Sequence, residues 1–298
     1  MKSKDPVKKK FPVKPLRRLA QLAILLIIVL IPLTTQNPAE WFPSRIVQGQ
    51  LPLPSLSPWS GDTWIFSFKS IYLAHPLALF DSWLAGRVIF IPLLLAAMAP
   101  LILTIILGRF FCSWMCPVGF ILELNMSLNK IFSRIGLHYK FNLKDSSYPV
   151  LTILLVLSFF MATPLLAIFD PPHILGRELI YLFTHQQVSA AGAGLLFFIL
   201  LFEIFANSRM LCRYFCPSGA GLALLGAKRL WRIRLEPDQC IDCGKCDQAC
   251  PYDLDPMVLK NQETSGTKQF NWTKCDNCGR CRDDCPTGAI SYHTGANY

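Results

Sequence analysis

CIDCGKCDQACP, residues 240–251, sets Cys240, Cys243, Cys246 and Cys250 at gaps of three, three and four and closes on Pro251. CDNCGRCRDDCP, residues 275–286, repeats it with every cysteine in register, Gly279 standing for Gly244 and Pro286 for Pro251. The chain has 298 residues and twelve cysteines, and the other four are Cys112, Cys116, Cys212 and Cys216. An even count can mean disulfides in a secreted chain, but spacing this tight points to a metal centre.

The run C-x2-C-x2-C-x3-C-P is the ligand pattern of bacterial two-cluster ferredoxins, in which the fourth cysteine serves the other cluster. It assigns Cys240, Cys243, Cys246 and Cys285 to one [4Fe-4S] cluster and Cys275, Cys278, Cys281 and Cys250 to a second. Three thiolates from one tight turn need a backbone that accepts positive φ, which Gly244 and Gly279 supply. Structural zinc usually takes two CxxC knuckles, so two full runs argue against it. From about residue 231 the composition turns charged and cysteine-rich. The last residues, PTGAISYHTGANY, read as a short strand closing the module, and 252–274 as a loop.

Upstream the chain changes character. It is 52% hydrophobic and only 16% charged, against about 25% charged in an average soluble domain. Four apolar runs, about 17–35, 88–107, 149–169 and 188–206, approach the ~20 residues a bilayer needs. Residues 71–84 are too short and read as interfacial or re-entrant. Lys and Arg concentrate in the N-terminal tail and after runs two and four, which puts both termini inside. Arg17-Arg18 before an apolar run resembles a twin-arginine export signal, but the run is long and no A-x-A site follows, so a retained anchor is expected. The net charge of +10 follows these boundaries rather than forming a nucleic-acid stripe, and no nucleic-acid partner is expected.

The expected fold is therefore a membrane protein: a four-helix transmembrane bundle followed by a small α+β double [4Fe-4S] ferredoxin domain. Its parts are a basic cytoplasmic tail, 1–16, a membrane domain, 17–230, and a ferredoxin domain, 231–298. The location expected is the bacterial cytoplasmic (inner) membrane, multi-pass, with the ferredoxin domain cytoplasmic.

A second repeat lies in the apolar half. RFFCSWMCPVG (109–119) returns as RMLCRYFCPSG (209–219), matching Arg109/Arg209, Cys112/Cys212, Cys116/Cys216, Pro117/Pro217 and Gly119/Gly219. Residues four apart share a helix face, while proline disfavours α geometry just before it, so each CxxxCP pair should straddle a helix end. Both pairs fall on the cytoplasmic side. A further thiolate-ligated metal or redox site at Cys112, Cys116, Cys212 and Cys216 is preferred over simple packing, with Arg109 and Arg209 stabilising thiolate charge.

Four apolar runs, two CxxxCP pairs and a double ferredoxin motif together resemble the NapH family, with MauN and the C-terminal part of NosR-type proteins similar. The resemblance covers nearly the whole chain. It implies a membrane quinol dehydrogenase component of a nitrate-reductase-like respiratory pathway. Such a subunit passes electrons from quinol, as substrate, through two clusters to another iron–sulfur or cytochrome protein. The alternative is a metal-reducing assembly factor, as in the similar CcoG/RdxA-type proteins, which carry an additional C-terminal β-domain. NosR-type sensors add a large N-terminal domain. Three histidines, His75, His173 and His185, are candidates for a quinol-deprotonating site beside Asp81 and Asp170 on the outer side, although HP and PPH are also ordinary loop punctuation. Glu203 reads as a quinol contact or, preferably, as a helix-end residue paired with Arg209. No histidine falls inside a counted run, so no haem is expected.

Overall fold

A computed structural model of the protein describes residues 12–34, 59–61, 64–68, 71–134, 146–187, 190–205, 209–260 and 270–294. Most of the basic tail, and 261–269 of the expected loop, lie outside them.

The first helix, α1 (Val13–Thr34), leaves orphan amides at its start, as every helix does. Here the amides of Val13 and Lys14 donate to the Asp283 carboxylate at 3.0 and 2.7 Å. That carboxylate belongs to the ferredoxin module 270 residues on, and its charge suits a helix N-terminus. A three-stranded antiparallel meander follows: β1 (Trp59–Gly61), β2 (Ile65–Phe68) and β3 (Ile71–Ala74), with Ile65 opposite Ala74. His75 then caps α2 (Pro76–Gly86), its Nδ1 accepting the Leu77 amide.

Helix α3 (Ile91–Leu107) runs into the first cysteine repeat, which forms a short α4 (Phe110–Trp114) and then α5 (Pro117–Arg134). Next come α6 (Ser147–Met161), α7 (Leu165–Phe169), α8 (Pro171–His185) and α9 (Ala190–Phe205). The second repeat is a single π-helical turn, Leu211–Phe215, leading into α10 (Pro217–Leu225). One core joins these parts: Trp64, Ile65, Leu77, Leu93, Leu151 and Leu166 are all buried in it. Each fully buried leucine contributes about 1.5–3 kcal/mol.

The ferredoxin module begins with β4 (Trp231–Leu235), paired antiparallel with β5 (Ile290–Thr294) so that Leu235 faces Ile290. Between them lie α11 (Lys245–Ala249) and α12 (Arg280–Asp283), entered through Gly244 and Gly279 at φ 66 and 74. Positive φ at both glycines is the requirement read from the motif.

The expected transmembrane bundle is corrected here. Among the described residues no helix is long and apolar enough to cross a membrane. The apolar runs are cut short by particular residues. Helix α3 ends after 17 residues at Gly108, whose φ of 72 and contact with the Arg229 side chain leave no room for a Cβ. Helix α6 ends after 15 at Ala162, in left-handed geometry ahead of Pro164. Helix α9 has 16 residues, and Glu203 near its end is drawn to the backbone of Arg209. Helix α1 has 22 but carries Lys14, Arg17 and Arg18, and Arg17 is buried against the ferredoxin module. Residues 71–84 form β3 and most of α2 rather than a re-entrant loop. A flank of exposed apolar side chains remains on these helices, among them Ile91, Leu95, Phe160 and Phe197.

Candidate redox site

The two CxxxCP stretches differ in the turn before the Cys-Pro step, α in the first and π in the second, but enter the following helix alike. Proline takes the first position of the following helix, where its missing N–H costs nothing. The preceding Cys116 or Cys216 caps that helix, its Sγ accepting the amide of Gly119 at 3.4 Å or Gly219 at 3.3 Å. The amides of Cys116 and Cys216 both reach back five residues, to Phe111 and Leu211 at 2.9 Å. Each pair thus straddles a helix end, as the Cys-Pro step dictates.

The four thiols lie near enough to act on one another's charge. Burial pushes Cys116 well above the ordinary thiol range, and the nearby charges of Cys212 and Cys112 push it further. Burial, then Asp170, Cys212 and Cys112, do the same to Cys216. Cys212 is pushed to about 12 by burial and then Glu203, with Arg209 and Arg109 only partly offsetting. Cys112 is also raised by burial, against Arg109. The arginines favour thiolates, as their placement suggested, but desolvation wins.

Those arginines serve the ferredoxin module as well. Arg109 and Arg209, one from each repeat, both lie over the ring of Tyr252, two residues beyond Cys250, at 5.4 and 5.6 Å from its centroid. Arg209 also ion-pairs with Asp276 at 2.9 Å, and Arg229 donates to the Cys275 carbonyl at 2.6 Å. Arg17 donates to the Cys278 carbonyl at 3.2 Å and pairs with Glu123 at 2.7 Å, which Arg280 also meets at 3.0 Å. Ser113, inside the first repeat, donates to the Asp276 carbonyl at 2.7 Å. The cysteine repeats and the loop carrying Cys275–Cys281 are therefore one packed unit.

Two thiol-lined cavities occupy the module. One is bounded by Cys250, Cys275, Cys278 and Cys281, the other by Cys240, Cys243, Cys246 and Cys285. In each, the fourth cysteine comes from the other motif. The first lies inward, with Cys275 and Cys281 buried. The second lies outward, with Cys243 exposed and Ile241 57% exposed.

Whether such cavities suit an iron–sulfur cluster can be tested on charge. Around the inner one Arg17, Arg109, Arg209 and Arg229 are all buried, while the buried carboxylates ion-paired among them are Glu123 and Asp276. Nε of all four arginines, and Nη2 of Arg209 and Arg229, are buried without a hydrogen bond. An excess of buried cations with unbonded N–H groups is costly, and a thiolate-bound cluster would supply an anion and acceptors there. Among the described residues no group of three or more Cys, His, Asp or Glu could hold a single metal ion. Thiolates sharing one zinc would lie within about 4.6 Å of each other, whereas a cubane spreads its four over a larger polyhedron.

The remaining candidates divide. Glu203 accepts the amides of Arg209 and Leu211 at 3.1 and 2.7 Å, so it anchors the start of the second repeat. It meets Arg209 through the backbone. His185 ends α8, and its side chain lies outside the described residues. Asp81 accepts from Ser158 and the Ala167 amide, tying α2 to α6 and α7. His75 and Asp170 do not lie across the protein from the cysteines, as the topology expected. His75 stacks on Trp64 at 5.7 Å and meets the Phe111 ring at 5.4 Å, and His173 lies 5.4 Å from Trp64. The Trp64 indole donates to Asp170 Oδ2 at 2.6 Å, and Asp170 Oδ1 is 4.0 Å from Cys216 Sγ. Trp64, Glu123, Arg229, Tyr252 and Asp276 were not read as site residues. Only the repeated arginines signalled the network they belong to.

Paired four-cysteine cavities packed on a cysteine repeat define a ferredoxin-type, iron–sulfur electron-transfer protein. The comparisons agree: a 4Fe-4S binding domain matches residues 89–135 and again 189–234, and a 4Fe-4S dicluster domain matches 229–290. The first of these covers both CxxxCP stretches. The chain is a relative of the methylamine utilization ferredoxin-type protein MauN of Methylobacillus flagellatus, with 32% identity over 62% of this chain and 62% of that protein. It is also a relative of the ferredoxin-type protein NapH of Escherichia coli, with 28% identity over 68% of this chain and 70% of that one. The chain thus spans about three-fifths of the length of MauN. No solved structure matches it.

Proposed function

We propose that the chain takes electrons from quinol and passes them through two [4Fe-4S] clusters, inner then outer, to a redox partner. Cys250, Cys275, Cys278 and Cys281 would hold the inner cluster, and Cys240, Cys243, Cys246 and Cys285 the outer one. Such clusters supply one-electron carriers at potentials set by charge, hydrogen bonds and exposure. The observation that carries the order is the burial gradient: the inner thiols pack on the CxxxCP repeats, while Cys243 reaches the surface. Cys112, Cys116, Cys212 and Cys216 lie between the apolar half and the inner cavity, and we assign them the relay. The partner is an iron–sulfur or cytochrome protein of a respiratory pathway. The chain is placed at the bacterial cytoplasmic membrane with the module on the cytoplasmic side, which the Lys and Arg distribution and the exposed apolar flank support.

Reduced ubiquinone and menaquinone analogues, added anaerobically to the iron-loaded protein with lipid, should bleach its iron–sulfur absorbance. If dithionite bleaches it and neither quinol does, with partner present, quinol input is wrong and the assembly-factor reading takes its place.

A further inference from the structure

A cavity of about 490 Å³ opens between α1, the β2–β3 ribbon and the end of α3. Its walls are almost wholly apolar, with Ile28, Phe66, Leu73, Leu103, Phe111 and Met115 among them. Thr104, one polar group on the wall, already spends its hydroxyl on the Pro100 carbonyl at 2.8 Å. His75 is different. Its Nδ1 accepts the Leu77 amide at 3.3 Å, and a neutral ring that accepts through one nitrogen carries its proton on the other. The donor is therefore Nε2–H, and Nε2 is buried with no hydrogen-bond partner. Leaving such a group unpaired costs roughly 1–3 kcal/mol, so this N–H favours an occupant that brings an acceptor. Burial holds the ring neutral by lowering its pKa to about 4.

The wall defines the occupant it suits. That occupant carries a hydrogen-bond acceptor on a molecule otherwise apolar enough for this wall, and a mostly apolar pocket of about 300–1,000 Å³ suits a small-molecule ligand oriented by a few polar groups. It also sits at the redox centre, for Phe111, Met115 and Pro117 on the wall are the immediate neighbours of Cys112 and Cys116. A quinone ring meets all three demands, and either redox form offers an oxygen acceptor. We propose that this cavity seats the quinone ring, with one ring oxygen accepting the Nε2–H of His75. His75 is then a donor that orients the ring rather than a base that deprotonates it. Trp64, stacked on His75 and bonded to Asp170, fixes the imidazole plane.

This assignment rests on the quinol reading, and the test separates the two. Menadione and decylubiquinone are titrated into the full-length, iron-loaded protein, and binding is read by calorimetry with no turnover required. His75→Asn keeps the helix-capping acceptor but draws the donor out of the cavity. It should weaken binding about tenfold, the worth of one ordinary hydrogen bond. Ala99→Trp fills the cavity from α3 without touching His75 and should abolish binding. Melting temperature and iron content establish that each variant is folded. Unchanged affinity in both folded variants overturns the site. If those variants also keep quinol-driven cluster reduction, the quinol reading stands and the ring binds elsewhere. If the wild type binds neither quinone, both fall. A fatty-acid probe that displaces menadione, with His75→Asn binding menadione as tightly as wild type, marks the cavity as a lipid-chain site and overturns the proposal.

Discussion

Arg229→Gln should lower the potential of the inner cluster by about 90 mV. The guanidinium is buried, donates to the Cys275 carbonyl at 2.6 Å, and leaves Nε and Nη2 unpaired. Arginine stays charged in any protein environment, so the substitution removes a full positive charge. At a separation of about 8 Å and an effective dielectric of about 20, a unit charge is worth roughly 2 kcal/mol. One electron added to the cluster feels that loss directly, and 2.3 kcal/mol per 100 mV converts it to roughly 90 mV. Arg229→Lys keeps the charge while giving up the planar fork, so it should recover most of the shift. The assay is a redox titration of the purified anaerobic protein, followed by EPR, with iron content measured on the same sample. A shift under about 20 mV in iron-replete Arg229→Gln would refute the electrostatic account. So would an equal shift in Arg229→Lys, because the effect would then come from lost packing over Gly108.

Other outcomes follow from the same contacts. Cys285→Ala should strip iron from the site of Cys240, Cys243 and Cys246 and spare the inner one, as EPR of the two clusters would report; loss confined to the inner cluster would reverse the crossing. Glu123→Gln leaves Arg17, Arg209 and Arg280 without their shared carboxylate and should cost about 3–5 kcal/mol, measured as a fall in denaturation midpoint. Asp81 gives a pH dependence. Burial lifts its carboxyl to about 6, against hydrogen bonds from Ser158 and Ala167 that pull it down. The folded state therefore holds that proton more tightly than the unfolded chain, and the stability it lends is full below about 3.8 and lost as pH rises through 6. Melting temperature should rise on acidification from pH 7 to 5, and Asp81→Asn should flatten that rise. Below pH 5 the trend turns, because arginines outweigh burial at Glu123 and Asp276 and hold both carboxyls below their ordinary range.

What the sequence made legible was the chemistry that depends on spacing. The ferredoxin runs, their positive-φ glycines, the terminal strand and the helix ends at the two Cys-Pro steps are all local consequences of a few residues. Helix length was not legible in that way. A run of apolar residues states where a helix is favoured, but Gly108 stops α3 because Arg229 lies on it, and that contact joins residues 121 apart in sequence. Arg17 likewise read as the flank of an apolar run, yet it points into the ferredoxin module. Long-range ion pairs carry no periodicity, so Glu123 and Asp276 gave no local sign of a shared role.

The inverted expectation about His75 and Asp170 has a physical origin that bears on mechanism. Counting apolar runs treats each as a full crossing and so sends alternate loops to opposite faces. Once the runs are shortened by Gly108 and Ala162, the segments between them can fold back. Asp170 then stands at the start of α8 beside Cys216, and Trp64 links it to His75. Oxidising a quinol requires proton acceptors and electron acceptors within reach of one ring. A topology with the histidines and thiols on opposite faces would separate them by the thickness of the apolar half. The observed packing places Phe111, between them, in contact with His75 and next to Cys112. On the proposed seating His75 donates its N–H to the ring and is held neutral by burial, so it is not the group that takes the proton. On the quinol reading Asp170, which bonds Trp64 of the cavity wall from behind, is the candidate, and burial raises its carboxyl above the ordinary range. Asp170→Asn should therefore preserve quinone binding and slow quinol-driven reduction by at least tenfold, with dithionite reduction unchanged. Loss of binding alongside rate would show Asp170 to be a support for Trp64 instead.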